Sequence, residues 1–289
     1  MTEPSGRLIE AGGGTFVIEQ GDGPALVLLH GAALGVDAWL TWFRTIPALA
    51  PRFRVVTFDQ PGFGRSDMPP SGRYLNRLER VPHAWRTLDA LGIGRAILVG
   101  HSEGAFMAAR MATEQPERVA RLVLVTSGGT APRLGGELDR GWIAASEAAY
   151  DVGSAGGDED ALVRGDPHLR RGADPGYEAV LRSNYRRARQ SGSWAMFQSL
   201  PPSETDYELY TRLQEQELFP RLGRLQAPCL LVWARDDATV PVERALRLMD
   251  LIPGAELHVL RDAGHMVMHD RPAAFHRAVA GWCAAEAEA

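Results

Sequence analysis

Short apolar runs and amphipathic segments alternate along most of the chain. The apolar runs, which are rich in Val, Leu and Ile, occupy residues 25–30, 53–59, 95–101, 121–127, 229–234 and 256–260. Continuous runs of this length are typical of strands that are covered on both faces. Segments with helical spacing lie at 39–49, 74–91, 105–113, 242–251 and 272–284. This alternation predicts an α/β protein with a doubly wound, mostly parallel sheet.

The alternation is interrupted for almost a hundred residues in the middle of the chain. The interval contains helical patterns at 138–150, 177–190 and 207–216, separated by the Gly- and Asp-rich DVGSAGGDED at 151–160 and by LPPSE at 200–204. We therefore predict a core of residues 1–129 and 224–289, with a helical insertion at 130–223. Open α/β sheets bind ligands at the carboxyl ends of their strands, so an insertion there is expected to be a lid. A second structural domain without a role at the site is the alternative.

Composition and charge narrow the classes of partner. The chain has 289 residues, of which 45% are hydrophobic, and its 31 basic and 36 acidic residues are mixed to a net charge of −5. This balance gives no basic face for nucleic acid, whereas a small neutral or anionic substrate is compatible with it. The sequence shows neither a secretory leader pattern nor an apolar run of about 18 residues, so we expect a cytoplasmic protein without a membrane span.

The cysteine content argues against a stapled or metal-dependent fold. Cys229 lies in an apolar run and Cys283 in the last helical segment. Two cysteines are too few for a disulfide framework, and their setting does not match a metal site. We expect two buried thiols and a protein that works without a cofactor.

The hexapeptide GHSEGA at 100–105 is the first candidate for chemistry. It follows an apolar run and precedes a helical pattern, so Ser102 lies at a sharp strand-to-helix turn, as a nucleophile elbow requires. Gly100 and Gly104 have no side chains, so they allow a strained backbone at this turn and close contact with the neighbouring strand and helix. The unpaired N–H groups at the start of the following helix would stabilise an oxyanion. Together these features predict that Ser102 is a nucleophile.

A serine hydroxyl needs a base, and the base needs an orienting acid. His265 follows the last predicted strand in RDAGHMVMHDRP, and Asp236 and Asp237 follow the preceding one in VWARDDATVP. Serine, acid and histidine thus all fall at carboxyl ends of strands. Either aspartate could orient the histidine, and one of the pair could instead cap a helix or bind Arg235. The histidines that compete with His265 are His101, His258 and His269.

The loop after the first predicted core strand is a candidate for the second half of an oxyanion hole. Such a hole uses two backbone N–H groups, one from the residue after the nucleophile and one from this loop, which indicates Glu103 and Ala32. Gly31 in LLHGAALG lets the backbone approach the serine, and His30 can brace the loop by hydrogen bonding. In FDQPGFGRSD at 58–67, we expect Asp59 and Arg65 to fix the loop.

Taken jointly, HGAALG, DQPGFGRSD, GHSEGA, PERVARLVLV, VWARDDATVP and AGHMVMHDRP resemble the α/β-hydrolase fold superfamily over nearly the whole chain. The segment at 30–67 and RDDATVP at 235–241 are similar to the meta-cleavage product hydrolases, which split a carbon–carbon bond in vinylogous diketones, and to related esterases and enol-lactonases. The resemblance implies a triad of Ser102, Asp237 and His265. It also implies an oxyanion hole at the N–H groups of Ala32 and Glu103.

Three positions depart from the meta-cleavage pattern. The family generally has Asn before the nucleophile and Trp after the histidine, where this chain has His101 and Met266. A family arginine in the lid holds the substrate carboxylate, and Asn184 falls at that position. The arginines in the corresponding region are Arg182, Arg186, Arg187 and Arg189. The many arginines of the insertion, namely Arg164, Arg170, Arg171, Arg182 and Arg186, would suit a carboxylate substrate, and a solvated helical face explains them equally well. Gly31, Met266 and Asn184 are therefore the candidate substrate-binding residues.

The function predicted from these residues is a cofactor-independent serine hydrolase of a small carbonyl substrate. Esters, lactones and ring-cleavage diketones fit about equally, and serine in place of aspartate at the nucleophile argues against the haloalkane dehalogenase and epoxide hydrolase branches. Glu103 and Met266 leave open a ligand-binding protein that keeps the triad, or a non-hydrolytic catalyst such as a cyclase or acyltransferase. The sequence contains no heptad pattern that would indicate an oligomer interface.

Overall fold

The computed structural model describes residues 5–137, 139–141, 143–144 and 158–284. The predicted helical segment 138–150 lies largely outside these residues, as does most of the Gly- and Asp-rich stretch 151–160. Among the described residues, no helix is both long and apolar enough to cross a membrane.

An eight-stranded sheet with the order β1-β2-β4-β3-β5-β6-β7-β8 forms the core. The strands are β1 (Arg7–Glu10), β2 (Gly14–Gln20), β3 (Ala25–Leu29), β4 (Arg54–Phe58), β5 (Ala96–His101), β6 (Val119–Val125), β7 (Cys229–Ala234) and β8 (Glu256–Leu260). Strands β3 to β8 pair in parallel, as predicted, whereas β2 runs antiparallel to β1 and β4. The antiparallel pair β1 and β2 was not predicted, because β1 is short and mostly exposed and β2 lies between glycine-rich turns.

The helices follow the strands in the predicted alternation. They are α1 (Ala38–Trp42), α2 (Thr45–Leu49), α3 (Val81–Ala90), α4 (Glu103–Glu114), α5 (Glu159–Gly165), α6 (Pro175–Ser191), α7 (Ser193–Gln198), α8 (Pro202–Thr205), α9 (Tyr207–Glu217), α10 (Phe219–Leu222), α11 (Val242–Met249), α12 (Val267–Asp270) and α13 (Pro272–Ala284). Helices α5 to α10 lie between β6 and β7, so the predicted helical insertion is present.

Two predicted helices differ from the structure in extent. The segment 39–49 forms the two short helices α1 and α2, and the segment 74–91 becomes helical only at Val81. Pro82 lies in the first turn of α3, where its fixed φ and missing N–H fit a helix start. Residues 74–80 therefore form a loop, and the loop turns Arg77 and Arg80 into the interior.

Each central strand is buried on both faces, which explains the continuous apolar runs. On β3, Leu26 and Leu28 pack into one cluster with Trp42, while Val27 and Leu29 pack into another with Phe106. The first cluster also contains apolar side chains of the insertion, namely Val163, Tyr177, Val180, Leu181, Tyr185, Ala188, Trp194, Met196 and Phe197. The insertion thus shares a hydrophobic core with the sheet.

The insertion is hydrogen-bonded to loops at the carboxyl ends of four strands. Asn184 Nδ2 donates to the Gly35 carbonyl after β3 at 2.9 Å, and Ser193 Oγ donates to the Gly62 carbonyl after β4 at 2.8 Å. Further contacts run from Gln214 Nε2 to the Gly128 carbonyl after β6, and from His168 Nδ1 to Asp270 at the end of α12 after β8. The insertion therefore lies over the edge of the sheet at which the predicted site residues emerge.

Candidate active site

Ser102 lies at the turn between β5 and α4 with an unusual backbone. Its φ of 54° and ψ of −122° fall in a region that L-residues rarely occupy. The turn is held on both sides, because the Ser102 N–H donates to the Val125 carbonyl at 3.0 Å and the Ser102 carbonyl accepts from Ser127 Oγ at 2.6 Å. Strain of this kind persists only where the surrounding structure fixes it, and it is typical of functional turns.

Glycines surround this turn because the backbones approach too closely for a side chain. A Cβ on Gly100 would lie 2.5 Å from the Ala105 N and Cα atoms, and one on Gly104 would collide with the Leu29 carbonyl. A Cβ on Gly31 would lie 2.8 Å from Ser102 Cβ and 3.3 Å from Ser102 Oγ. The loop after β3 thus passes directly beside the Ser102 side chain, as the sequence predicts.

Asp237 and His265 are joined by a hydrogen bond at the ends of β7 and β8. His265 Nδ1 lies 2.9 Å from Asp237 Oδ2, and both residues are buried. Asp237 Oδ1 accepts from Thr239 Oγ1 at 2.7 Å and from the N–H groups of Thr239 and Val240 at 2.8 and 3.0 Å. Since Nδ1–H donates its hydrogen bond to Asp237, Nε2 of this tautomer is left as the acceptor nitrogen.

Asp236 has a different environment from Asp237. Its side chain is 47% exposed and lies 3.6 Å from Arg171 of the insertion. The structure therefore brings Asp237, and not Asp236, to the histidine.

The His265 backbone is anchored to the turn that carries Ser102. Its carbonyl accepts from His101 Nε2 at 2.9 Å and from Thr126 Oγ1 at 3.0 Å, and the rings of His101 and His265 lie 4.7 Å apart. The residue before the candidate nucleophile therefore holds the loop of the candidate base. Of the remaining histidines that compete with His265, His258 is exposed on β8, and His269 Nε2 donates to the Leu40 carbonyl at 2.8 Å.

His30 braces the loop that contains Ala32, as the sequence predicts. Its Nδ1 donates to the Gly31 carbonyl at 2.7 Å, and its Nε2 accepts from the Gln60 N–H at 3.0 Å. Burial lowers the pKa of His30 to about 3, so the ring is neutral at pH 7. Ala32 and Ser102 are both half-buried.

The loop after β4 is fixed by Asp59, as expected. Its two carboxylate oxygens accept from the N–H groups of Ala38 at 2.9 Å and Arg65 at 2.8 Å.

The Glu103 side chain is buried in a polar cluster beside the turn. Its carboxylate accepts from Arg80 and from Tyr74 Oη, the latter at 3.0 Å, and Tyr210 of the insertion is also hydrogen-bonded to it. Arg80 is fully buried. Sequence reasoning missed Arg80 and Tyr74, because the predicted helix over 74–91 gave no sign that either side chain faces the turn that carries Ser102.

The candidate substrate-binding residues have mixed surroundings. Gly31 lies against Ser102, Met266 is buried in the apolar cluster, and Asn184 is also bonded to Arg187 Nη1, at 2.7 Å from its Oδ1. Arg182 and Arg186, which suggested a carboxylate substrate, lie in salt bridges within the insertion. Their acidic partners are Glu159, Asp160 and Glu178. These ion pairs account for both arginines without a ligand.

A histidine of the insertion is bonded to the loop that carries His265. His168 Nδ1 lies 2.6 Å from Asp270 Oδ1, and its Nε2 lies 3.1 Å from Asp174 Oδ2. Asp270 Oδ2 accepts from the Gly264 N–H at 2.6 Å. Burial alone would lower the pKa of His168, but Asp270 and Asp174 raise it. The sequence gave no signal for this link, because its partners are far apart along the chain.

Three buried histidines around this site predict how stability depends on pH. Burial lowers the pKa of His30 and His269 to about 3 and that of His101 well below 6.5. Below pH 6.5 the unfolded chain takes up protons at these positions and the folded chain does not. The stabilisation is therefore complete above about pH 6.5 and is lost as the pH falls towards 3. We expect each histidine to reduce the free energy of unfolding by up to about 1.4 kcal/mol per pH unit.

Urea unfolding of matched variants at pH 7.5 and pH 5 measures this dependence. In His269→Gln, the amide can still donate to the Leu40 carbonyl but does not titrate, so the loss of stability at pH 5 should be smaller than in the wild type. His258→Gln changes an exposed histidine and should leave the wild-type dependence unchanged. An undiminished loss at pH 5 in His269→Gln would contradict the prediction.

Comparison with known proteins gives a consistent family. The sequence profile of the alpha/beta hydrolase fold matches residues 24–272. The chain is 30% identical over 274 residues to a 2-hydroxy-6-oxo-6-phenylhexa-2,4-dienoate hydrolase of Burkholderia cepacia, covering 90% of this chain and 87% of that protein. It is 32% identical over 292 residues to a 2-hydroxymuconate semialdehyde hydrolase of Pseudomonas sp. (strain CF600), covering 98% and 94%. The solved 2-hydroxy-6-oxo-6-phenylhexa-2,4-dienoate hydrolase of Rhodococcus sp. strain RHA1 matches with a TM-score of 0.77 and 26% identity, covering 99% and 100%.

Proposed function

Because the chain belongs to the α/β-hydrolase fold family and is a hydrolase related to enzymes that cleave carbon–carbon bonds, we propose that it is a serine hydrolase whose triad is Ser102, His265 and Asp237. The observation that carries the proposal is the strained backbone of Ser102, with φ 54° at the start of α4 and Gly31 packed against its side chain. This geometry places the Ser102 hydroxyl at the start of α4. Backbone strain of this kind costs about 1–3 kcal/mol and persists at functional turns.

The proposed reaction begins with proton transfer from Ser102 Oγ to His265 Nε2 as the oxygen attacks a substrate carbonyl. Asp237, bonded to Nδ1 at 2.9 Å, stabilises the imidazolium that forms. The N–H groups of Ala32 and Glu103 bind the oxyanion. His265 then returns the proton to the departing alkoxide or carbanion, and water, activated by the same histidine, releases the acyl group as a carboxylic acid.

We propose a vinylogous diketone of the ring-cleavage type as the substrate class. The support is the similarity over most of the chain to hydrolases named for 2-hydroxy-6-oxo-6-phenylhexa-2,4-dienoate and 2-hydroxymuconate semialdehyde. Esters and lactones are the second candidate. The departures at His101, Met266 and Asn184 favour it, as do the salt bridges that engage Arg182 and Arg186.

We further propose that residues 130–223 are a lid over the site. The contacts from Asn184, Ser193, Gln214 and His168 to loops after four different strands support this role. A lid in this position excludes water from the reaction and shapes the substrate pocket. A structural domain without a role at the site would not need contacts with every one of these loops.

A substrate panel tests the proposal. It should contain 2-hydroxy-6-oxo-6-phenylhexa-2,4-dienoate, 2-hydroxymuconate semialdehyde, p-nitrophenyl esters of increasing chain length and a small lactone. We expect kcat/KM for at least one dienoate to exceed that for p-nitrophenyl acetate by about 10-fold or more, which corresponds to about 1.4 kcal/mol of added transition-state binding. Cleavage of a dienoate shortens its conjugated system and is followed as a loss of absorbance.

The other outcomes separate the alternatives. Turnover of esters or lactones without dienoates would contradict the carbon–carbon substrate class and retain the serine hydrolase. If no compound is turned over but a fluorophosphonate modifies Ser102, acyl transfer to another acceptor replaces hydrolysis. A folded protein that neither turns over substrate nor reacts with the probe would be a ligand-binding protein.

A further inference from the structure

A network of buried, hydrogen-bonded side chains joins the first turn of α4 to the loop after β3, and these two segments supply the proposed oxyanion hole. At its centre is Arg80, which is fully buried in the loop before α3. Arg80 Nη1 donates to Gln60 Oε1 at 2.5 Å, and Nη2 donates to the Glu103 carboxylate and to Tyr74 Oη, the latter at 3.2 Å. Nε donates to the Asn76 carbonyl at 3.4 Å. The planar guanidinium is therefore fixed in orientation by partners on three sides.

We propose that Arg80 is a positioning residue of the oxyanion hole. Its guanidinium ties the first turn of α4 to the loop after β3, and its charge offsets the Glu103 carboxylate beside the developing oxyanion. The inference rests on the proposed function, because it assumes that an oxyanion forms next to Ser102.

One arm of this network ends at Glu103, the first proposed N–H donor. Glu103 is the first residue of α4, and the same residue supplies the backbone N–H and the carboxylate that binds Arg80. The ion pair is buried, with side-chain exposures of 0% for Arg80 and 9% for Glu103. Charge-assisted hydrogen bonds in such surroundings are strong and geometrically specific. Arg80 therefore restricts the position of the Glu103 backbone as well as its side chain.

The other arm ends at the loop that contains the second proposed donor. Gln60, whose Oε1 accepts from Arg80, donates through Nε2 to the His30 carbonyl at 2.6 Å. Its backbone N–H donates to His30 Nε2 at 3.0 Å, and His30 Nδ1 donates to the Gly31 carbonyl at 2.7 Å. Residues 30 and 31 directly precede Ala32, so this arm fixes the direction from which the Ala32 N–H approaches Ser102.

The charge of Arg80 has a second consequence for an oxyanion. Glu103 directly follows Ser102, beside which negative charge would develop on the oxyanion. An unpaired carboxylate on Glu103 would repel that charge. Glu204 of α8 adds a second buried carboxyl to the cluster, 4.0 Å from Arg77 Nη1. Burial and then the charge of Glu103 raise the pKa of Glu204 to about 7.

The guanidinium of Arg80 stays charged in this setting. Burial would lower its pKa, but Tyr74 and Glu103 raise it above the usual value. Arg77, the other arginine of the cluster, stacks on Tyr210 with 3.7 Å between its guanidinium carbon and the ring centre, and it bonds the Tyr210 carbonyl. Arg80 is thus the cation whose hydrogen bonds reach Glu103.

Arg80→Met tests the inference, with Arg244→Met as the matched control. Arg244 is also fully buried, and it bonds the carbonyls of Ala131 and Pro132 rather than Gln60 or Glu103. The assay uses the best substrate of the panel and the inhibition constant of phenylboronic acid, which forms a tetrahedral adduct with an active serine. We expect Arg80→Met to lower kcat about 10²-fold, as loss of one oxyanion donor does, with KM changed by less than about 3-fold. The inhibition constant should rise in parallel, while Arg244→Met keeps the wild-type values at a similar loss of stability.

Two further variants separate positioning from general structure. In Arg80→Met/Glu103→Gln the uncompensated carboxylate is removed, so the double variant should recover at least about 5-fold in kcat over Arg80→Met. Gln60→Met cuts the second arm while leaving the Arg80–Glu103 pair, and we expect kcat to fall about 10-fold with little change in KM. If Arg80→Met does not fold, Arg80→Lys replaces it, since lysine keeps the charge and loses the planar fork.

Unchanged kcat and boronate inhibition in folded Arg80→Met, or in both Arg80→Lys and Gln60→Met, would overturn the inference. A proportional fall of kcat in Arg244→Met would also overturn it, because the effect would then follow stability alone. Failure of the proposed function gives a different result. Ser102→Ala would then keep the wild-type activity, and phenylboronic acid would not inhibit the wild-type protein.

Discussion

Ser102→Ala is expected to reduce kcat by roughly 10⁵- to 10⁶-fold, the loss that accompanies removal of a serine nucleophile from a triad. The alanine side chain offers no oxygen for attack, so His265, whose Nδ1 is bonded to Asp237 at 2.9 Å, has no hydroxyl from which Nε2 can take a proton. The hydrogen bonds that hold the turn run from the Ser102 N–H to the Val125 carbonyl and from Ser127 Oγ to the Ser102 carbonyl, and neither involves the Ser102 hydroxyl. The fold should therefore survive the substitution, and the thermal midpoint should stay within about 4 °C of the wild type.

The measurement combines turnover with labelling by a fluorophosphonate, followed by mass spectrometry of the modified peptide. Ser199→Ala, at an exposed serine of the insertion, should react and turn over as the wild type does. Ser102→Gly should be as inactive as Ser102→Ala but more stable, because glycine adopts φ 54° without strain. Wild-type activity in purified Ser102→Ala, or labelling at another serine, would remove Ser102 as the nucleophile.

The sequence predicts the parallel part of the sheet well because burial on both faces leaves a clear pattern. Residues of β5 and β7 are all buried, so each strand appears as an uninterrupted apolar run. β1 has no such pattern, since three of its four residues are exposed at the sheet edge. Edge strands with antiparallel partners are stabilised by pairing and turns, which composition does not reveal.

The position of Ser102 at a strand-to-helix turn was also predictable, because that signal is local in sequence, whereas tertiary polar networks were not. Ser102 stands out because its two flanking glycines and the strand before it are close along the chain. Arg80 and Glu103 are 23 residues apart, and His168 and Asp270 are 102 residues apart. From the sequence alone, the side chains of Arg80 and His168 could both have lain on a solvated surface. Only the folded chain shows that both are buried against carboxylates.

Asp237→Asn is expected to lower kcat by about 10⁴-fold while leaving KM nearly unchanged. Asp237 Oδ1 accepts three hydrogen bonds from Thr239 and Val240, so an asparagine oxygen is fixed at that position and its NH₂ group faces His265 Nδ1. Nδ1 must then accept a hydrogen bond instead of donating one. The neutral ring consequently carries its proton on Nε2, and it cannot accept the proton of Ser102. The loss thus comes from the wrong tautomer and not from a change in shape.

Asp236→Asn is the matched control, because it makes the same chemical change one residue earlier. Asp236 is 47% exposed and contacts Arg171 at 3.6 Å, a pair that is worth little in water, so kcat should stay within about 3-fold of the wild type. The two variants together decide between the adjacent carboxylates that the sequence left open. A large loss in Asp236→Asn with near-normal turnover in Asp237→Asn would reverse the assignment. Of the two aspartates, only Asp237 is bonded to His265 Nδ1. Equal losses of kcat in both variants would therefore place the effect in the loop after β7 rather than in the position of the proton on His265.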